Sequence, residues 1–245
     1  MIKENAKRTL VWLYSATTEE RWLSKDRISL ILAHLTPAGV RSLLYSLEKK
    51  QLVFSQRVGG EINFALTNIG KALIETEIIG LSASSQAEPQ WSMLIFLKPP
   101  KSDRNFRYLR LLLLQQHWLT VSRGVFISPA QPIESLIQVI AKLYAQSVIV
   151  LGIKDWRWGD IRLVIGQTVG ASQVDDIYSG ISREIDRLIS EVLSKNELNH
   201  QDKSQILSVF DRLYSTLKLD FTQVLLKKRG NASGVELLSK LQLLG

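Results

Sequence analysis

A helix that must stop and turn at once into a hairpin is written into residues 36–70, TPAGVRSLLYSLEKKQLVFSQRVGGEINFALTNIG. Thr36 followed by Pro37 is a cap and a pre-set first helical residue, a strong start signal. From there Val40, Leu43, Leu44 and Leu47 recur at i, i+3, i+4 and i+7, so that face packs inward. The opposite face collects Ala38, Arg41, Ser42, Tyr45 and Lys49. Leu52–Phe54 and Ile62–Phe64 read as two strands joined at Gly59-Gly60, and Thr67 caps a further helix running through Ile79. Upstream, residues 3–15 place Ala6, Leu10, Leu13 and Tyr14 on one face. Ser24 caps a helix over 25–34 with Ile28, Leu30, Ile31 and Leu32 on its apolar side. The order is helix, helix, helix, hairpin, helix, which predicts a winged helix-turn-helix over residues 1–80, with 37–50 as its recognition helix.

That geometry implies DNA. A major groove admits one α-helix, and the small residues at its start let the backbone approach base edges. Arg41 can donate in bidentate fashion to guanine, while Ser42 and Tyr45 reach bases or phosphates. Gln56 and Arg57 on the wing lie near the backbone or minor groove, and Lys49 and Lys25 near phosphates. Winged-helix domains also serve as protein-docking modules, and an arginine on an exposed helix is often merely solvated.

Residues 81–90, LSASSQAEPQ, are small, polar and aperiodic, and read as a linker. Beyond it the pattern is strand 91–97, helix 104–116, hairpin 118–121 and 124–127, helix 132–144 and strand 147–153. This βαββαβ order predicts a ferredoxin-like domain over 91–166, with 161–166 as an optional edge strand. On its first helix Phe106, Leu109, Leu112 and Leu113 face the sheet. Arg104, Arg107 and Arg110, with Lys98 and Lys101 just upstream, form a candidate surface for an anion, an effector or a second stretch of DNA; a solubilising helix face is the alternative. Residues 167–245 read as a helical C-terminal region with helices near 173–194, 203–217 and 235–243. Trp156 and Trp158 in DWRWGD are candidates for an effector pocket, or for a wedge at a domain joint. The fold class is therefore α+β.

Charge sharpens the choice of partner. The net charge of +8 divides into +3 over residues 1–80, −1 over the linker, +6 over 91–165 and zero over 166–245. The basic excess sits on the first two-thirds, which fits a polyanion there. With no cysteine, disulfides, thiolate metal sites and thiol catalysis are excluded. His34, His117 and His200 lie far apart in sequence without ligand spacing, and no phosphate loop, dinucleotide fingerprint or nucleophile elbow is present. Asp155 and Asp160 are a poor acid–base pair. No apolar run is long enough to span a bilayer and no secretory leader is evident, so the expected setting is the cytoplasm, associated with the nucleoid.

The pairing of GVRSLLYSLEKKQLVFSQ and FALTNIG with WSMLIFLKPP, RYLRLLL and GVFISP resembles the phenylacetic-acid-degradation repressor (PaaX-like) family, over roughly residues 1–155. Those proteins join a winged helix-turn-helix to a domain similar to the Cas2 ferredoxin fold. The resemblance implies a homodimeric transcriptional regulator, commonly a repressor, that releases double-stranded DNA when a small acyl-CoA-like effector binds. Its DNA contacts fall on Arg41, Ser42, Tyr45 and Arg57. The Cas2 likeness also raises a nuclease, but such enzymes carry an acid at the end of the first strand, where this chain has Lys98, Pro99 and Pro100. A cation cannot ligate a divalent metal, and Asp103 suits a helix cap. The expectation is a non-enzymatic protein without metal or cofactor. The alternative is a non-catalytic Cas2-like scaffold for nucleic acid or protein, with the winged helix as its docking module.

Overall fold

The structure, a computed structural model, describes residues 2–15, 17, 19–78, 80–81, 91–98, 104–116, 118–128, 131–155, 171–193, 198–220 and 233–244. They fall into two units. The first is formed by 1–84, 173–220 and 228–245, the second by 85–172 and 221–227.

In the first unit, helix α1 (Glu4–Leu13) buries Ala6, Thr9, Leu10, Val11, Trp12 and Leu13. Ala6, Leu10 and Leu13 are the face that periodicity marks. Val11 and Trp12 lie off it, yet both are fully buried. A helix covered on more than one side must be apolar beyond a single stripe, and TLVWLY supplies that.

Strand β1 (Leu23–Ser24) runs into helix α2 (Lys25–Ser29), whose N-cap is Ser24, its side chain accepting from the Arg27 N–H. The sequence predicts one helix over 25–34; instead the chain tightens into a 3₁₀ turn at Leu30–Leu32. One cause is visible in the bonding: the Ile31 carbonyl accepts from the Arg8 guanidinium at 2.9 Å. Helix ends commonly satisfy their last carbonyls through such tighter turns and side-chain donors. Helix α3 (Pro37–Lys49) starts at Thr36, whose hydroxyl accepts from Gly39 N–H, and buries Val40, Leu44 and Leu47. Strands β2 (Val53–Val58) and β3 (Glu61–Leu66) form a hairpin longer than the sequence suggests, in register from Val53↔Leu66 to Val58↔Glu61. Gly59 and Gly60 close it with φ of 59° and 89°, the positive pair that a two-residue primed turn demands. Short β1 pairs with β3, giving an antiparallel sheet of order β1-β3-β2 that the sequence reading omits. Helix α4 (Asn68–Glu77) begins at the Thr67 cap. It approaches β2 so closely that a Cβ on Gly70 would collide with the Leu52 carbonyl oxygen.

The tail completes this unit. Helix α7 (Ala171–Leu193), helix α8 (His200–Leu217) and helix α9 (Gly234–Leu241) follow in order. The last two open with reciprocal capping boxes, Asn199/Asp202 and Ser233/Glu236. The sequence sets 167–245 apart as its own helical region, whereas Ile181, Ile185, Leu188, Val209, Phe210, Leu213 and Leu238 share one core cluster with Leu10, Trp12, Ile28 and Leu44. Phe210 meets Trp12 edge-on at 5.2 Å between centroids. Arg8 lies over the Phe210 ring at 5.2 Å and pairs with Asp211 at 2.5 Å. The Gln242 amide is buried and donates to the carbonyls of Trp12 and Tyr14 at 2.9 and 3.0 Å. Those are acceptors at the end of α1 that helix geometry leaves without an internal partner.

The second unit has strand β4 (Trp91–Phe96), helix α5 (Arg104–Gln115), strand β5 (Leu119–Ser122), strand β6 (Val125–Ser128), helix α6 (Glu134–Tyr144) and strand β7 (Val148–Ile153). All neighbours are antiparallel, in the order β5-β6-β4-β7, with a register irregularity between Thr120 and Ser122. Leu94, Phe96, Leu109, Leu113, Trp118, Phe126, Leu136 and Ile140 make its core, and Phe96 stands edge-on to Phe106, Phe126 and Tyr144. The proposed edge strand 161–166 lies outside the described residues. With helices and two antiparallel sheets, the fold class is α+β. No single helix among the described residues is long and apolar enough to cross a membrane.

Gln242→Ala should lower stability by about 1–3 kcal/mol, because it strands buried carbonyls without donors. The exposed Lys240–Asp186 pair at 3.2 Å predicts a loss under about 1 kcal/mol for Lys240→Ala. Urea unfolding of the two variants measures the contrast.

Candidate nucleic-acid interface

The passage from α3 into the hairpin decides how the two present their outer surfaces. Gln51 sits in the left-handed region at φ 56°. Its N–H donates to the Glu48 carbonyl at 2.8 Å, and the Leu52 N–H to the Leu47 carbonyl at 3.0 Å. These are the two bonds of a Schellman ending, which stops a helix and reverses the chain within two residues. The Thr67 hydroxyl donates to the Gln51 carbonyl at 2.6 Å, tying the start of α4 to the same corner. The Ser55 hydroxyl donates to Glu48 Oε1 at 2.6 Å, which fixes β2 against α3.

On the surface so presented, Ala38, Arg41, Ser42, Tyr45 and Lys49 are all exposed. At about 100° per residue they fall within an arc of about 100°. Tyr45 leaves 69% of its surface to solvent. Gln56 and Arg57 are exposed on β2, Arg57 opposite Ile62 and one pair from the glycine turn. Lys25 is half-buried at the start of α2.

Arg41, Tyr45 and Lys25 converge on a groove of about 390 Å³ between α3, the start of α2 and the hairpin, with buried Leu44 and Phe64 and the exposed Ile62 as its apolar lining. Ala38, Ser42, Lys49, Gln56 and Arg57 stand outside it, on the flanking helix face and strand. The sequence reading misses three carboxylates on the groove wall, Asp26, Glu48 and Glu61. Glu48 was within reach of periodicity, since it follows Arg41 by seven residues and Tyr45 by three. Asp26 and Glu61 are brought in only by the packing of α2 and the hairpin.

Ion pairs hold several cations elsewhere in the unit. Lys7 pairs with Glu77, Arg8 with Asp211, Arg212 with Glu184, Lys218 with Glu4 and Lys240 with Asp186. Burial alone would raise the Glu4 carboxyl, but the hydrogen bond and charge of Lys218 and the charge of Lys7 outweigh it and hold Glu4 below the ordinary range. Among the described residues, the side chains of Lys25, Arg41, Lys49 and Arg57 make no such pair. Unpaired guanidinium and ammonium groups can meet phosphate or a guanine edge without first breaking an internal bond. The carboxylates repel phosphate and accept only from amino groups such as cytosine N4.

The other candidates are dispersed. Lys98, Arg104, Arg107 and Arg110 belong to the second unit, the three arginines on the exposed face of α5. Lys101, Trp156 and Trp158 lie outside the described residues, as do His117, Asp103 and Asp160. His34 bonds Asn5 Oδ1 at 3.1 Å. No group of three His, Cys, Asp or Glu among the described residues is placed to hold a metal ion.

No protein-family model matches the chain, and no curated protein is similar to it. Among solved structures it is similar to the uncharacterized protein Rv0674 from Mycobacterium tuberculosis, at 16% identity and a TM-score of 0.43, over 96% of this chain and 91% of that one.

Gln51→Gly should stabilise the protein by about 0.5–1 kcal/mol, since glycine enters the left-handed region without the Cβ penalty. Thermal unfolding of the variant checks whether this corner carries the strain its φ implies.

Proposed function

We propose that the chain is a sequence-specific regulator of transcription that binds double-stranded DNA as a homodimer and performs no catalysis. The observation that carries this reading is the exposed face of α3, where Arg41 stands among small and polar residues beside a glycine-tipped hairpin with Arg57, neither arginine making an ion pair among the described residues. The element order and the β1-β3-β2 sheet fit a winged helix-turn-helix, with α3 as recognition helix and β2–β3 as wing. The βαββαβ order and strand order β5-β6-β4-β7 of the second unit fit a ferredoxin-like, Cas2-like domain.

In this reading α3 enters the major groove. Ala38 keeps its first turn close to the bases, Arg41 reads guanine, Ser42 and Tyr45 contact bases or backbone, Lys49 and Lys25 hold phosphates, and Gln56 and Arg57 lie near the backbone or minor groove. Two copies would occupy half-sites about 34 Å apart, one helical turn, so the operator is a palindrome. The resemblance to the phenylacetic-acid-degradation repressors adds repression and release by an acyl-CoA-like effector, and a DNA partner itself puts the protein with the nucleoid. Such an effector acts only through a difference in affinity between the DNA-competent state and another.

The docking-module alternative draws support from the same groove, because its apolar lining and three carboxylates also suit a basic, apolar peptide. Selection from random duplexes at about 150 mM salt, where non-specific contacts are weak, separates the two. The regulator reading expects enrichment of one palindromic motif. Arg41→Ala should then cost about 1–3 kcal/mol on that motif and relax its guanine preference. Lys49→Ala should weaken binding on all sequences alike and reduce the salt slope by about 0.9. Recovery of no motif by the intact protein would refute the regulator reading.

A further inference from the structure

Helix α5 of the second unit is built with two usable faces. Leu109 and Leu113 are fully buried in the core, with Phe106 and Leu112 packed against it. The outward face should then be polar, as on most surface helices. Instead Tyr108, Leu111 and Leu114 expose 52%, 56% and 48% of their surface. At about 100° per residue, the outer arc reads Tyr108, Arg104, Leu111, Arg107, Leu114, Arg110 over about 160°. Cationic and apolar side chains thus alternate around one face. The helix carries no acid, and none of the three arginines makes an ion pair or hydrogen bond among the described residues.

We infer that this face is a docking surface for an acidic amphipathic helix of a partner protein. The charge calls for carboxylates, and the interleaved leucines and tyrosine call for apolar side chains at the same spacing. Arg and Tyr are also the residue types that most often dominate protein interfaces. Other occupants match half of the pattern. Duplex phosphates would satisfy the arginines and leave three large apolar groups against a polar backbone. A second copy of α5 would set arginine against arginine. A bilayer would accept the leucines, but membrane-surface helices segregate their charges from the apolar face, and here the two share one arc. Twelve residues of helix span about 18 Å, room for about three turns of a partner. A contact of that size is at the small end for specific interfaces and fits transient, micromolar association. The inference stands apart from the DNA reading, since it uses none of the residues on α3 or the hairpin.

The test uses the full-length protein and fluorescence anisotropy at about 150 mM salt. The probe is an 18-residue labelled helix with glutamate and leucine alternating on one face, against a scrambled peptide of equal composition. The expected result is at least ten-fold tighter binding of the patterned peptide. That preference should fall at least ten-fold in Arg104→Gln/Arg107→Gln/Arg110→Gln and, separately, in Leu111→Ser/Leu114→Ser, with unchanged circular dichroism. Arg41→Ala should leave it unaltered, which keeps the outcome distinct from that of the DNA selection. Equal binding of both peptides, or loss in the arginine variant alone, would overturn the inference. So would a drop of about 2.7 in the salt slope for random duplex DNA in the arginine variant, or stronger binding to phosphatidylserine vesicles than to the peptide, because each assigns the face to another partner.

Discussion

The amide of Gln242 donates to two carbonyls at the end of α1, 230 residues from Trp12, and the first unit depends on that closure. Around it Phe210 stands against Trp12, Arg8 bridges the Phe210 ring, Asp211 and the Ile31 carbonyl, and Lys218 meets Glu4. The contacts of Gln242, Phe210, Asp211 and Lys218 join the tail to α1, and Arg8 joins α1 to the turn before α3. The chain therefore leaves the first unit after α4, forms the second, and returns to complete the first. A core assembled from two distant segments carries a larger loop-closure cost than one built from neighbours, though that cost grows slowly with length.

This arrangement leaves the candidate interface free. The tail packs on α1, so α3 needs to bury only Val40, Leu44 and Leu47, and its opposite face stays in solvent. The hairpin is anchored at its base and open at its tip. At the base, Gly70 lets α4 reach the Leu52 carbonyl, and Thr67 bonds the Gln51 carbonyl. At the tip, Val58 through Ile62 are exposed. Rigidity near the core and exposure at the end suit recognition, since positioned side chains keep their geometry before contact.

Local signals were readable where one residue's chemistry decides the conformation. The caps at Ser24, Thr36 and Thr67, the Gly59-Gly60 turn, the inward face of α3 and the strand–helix alternation of the second unit all follow from short-range rules. The same rules put Ala38, Arg41, Ser42, Tyr45 and Lys49 on one face. They did not give strand β1, because two residues carry no period and Leu23–Ser24 becomes a strand only by pairing with Phe64 and Asn63. They also did not end α2 at Ser29, since the donor that takes the Ile31 carbonyl comes from Arg8 on another helix. Asp26 and Glu61 joined the groove for the same reason: two elements distant in sequence bring them to one wall.

By itself, then, the sequence determined most of the helix spans, the caps at Ser24, Thr36 and Thr67, the hairpin turn and which face of α3 carries polar and cationic groups. These are set by backbone dihedrals and side-chain period within about ten residues. Only the tertiary structure decided that the tail belongs to the first unit, that Lys25, Arg41 and Tyr45 share a groove with three carboxylates, and that α5 exposes leucines between its arginines. A helix's period says which residues share a face. What covers that face depends on contacts between segments far apart in the chain, and no local pattern encodes them.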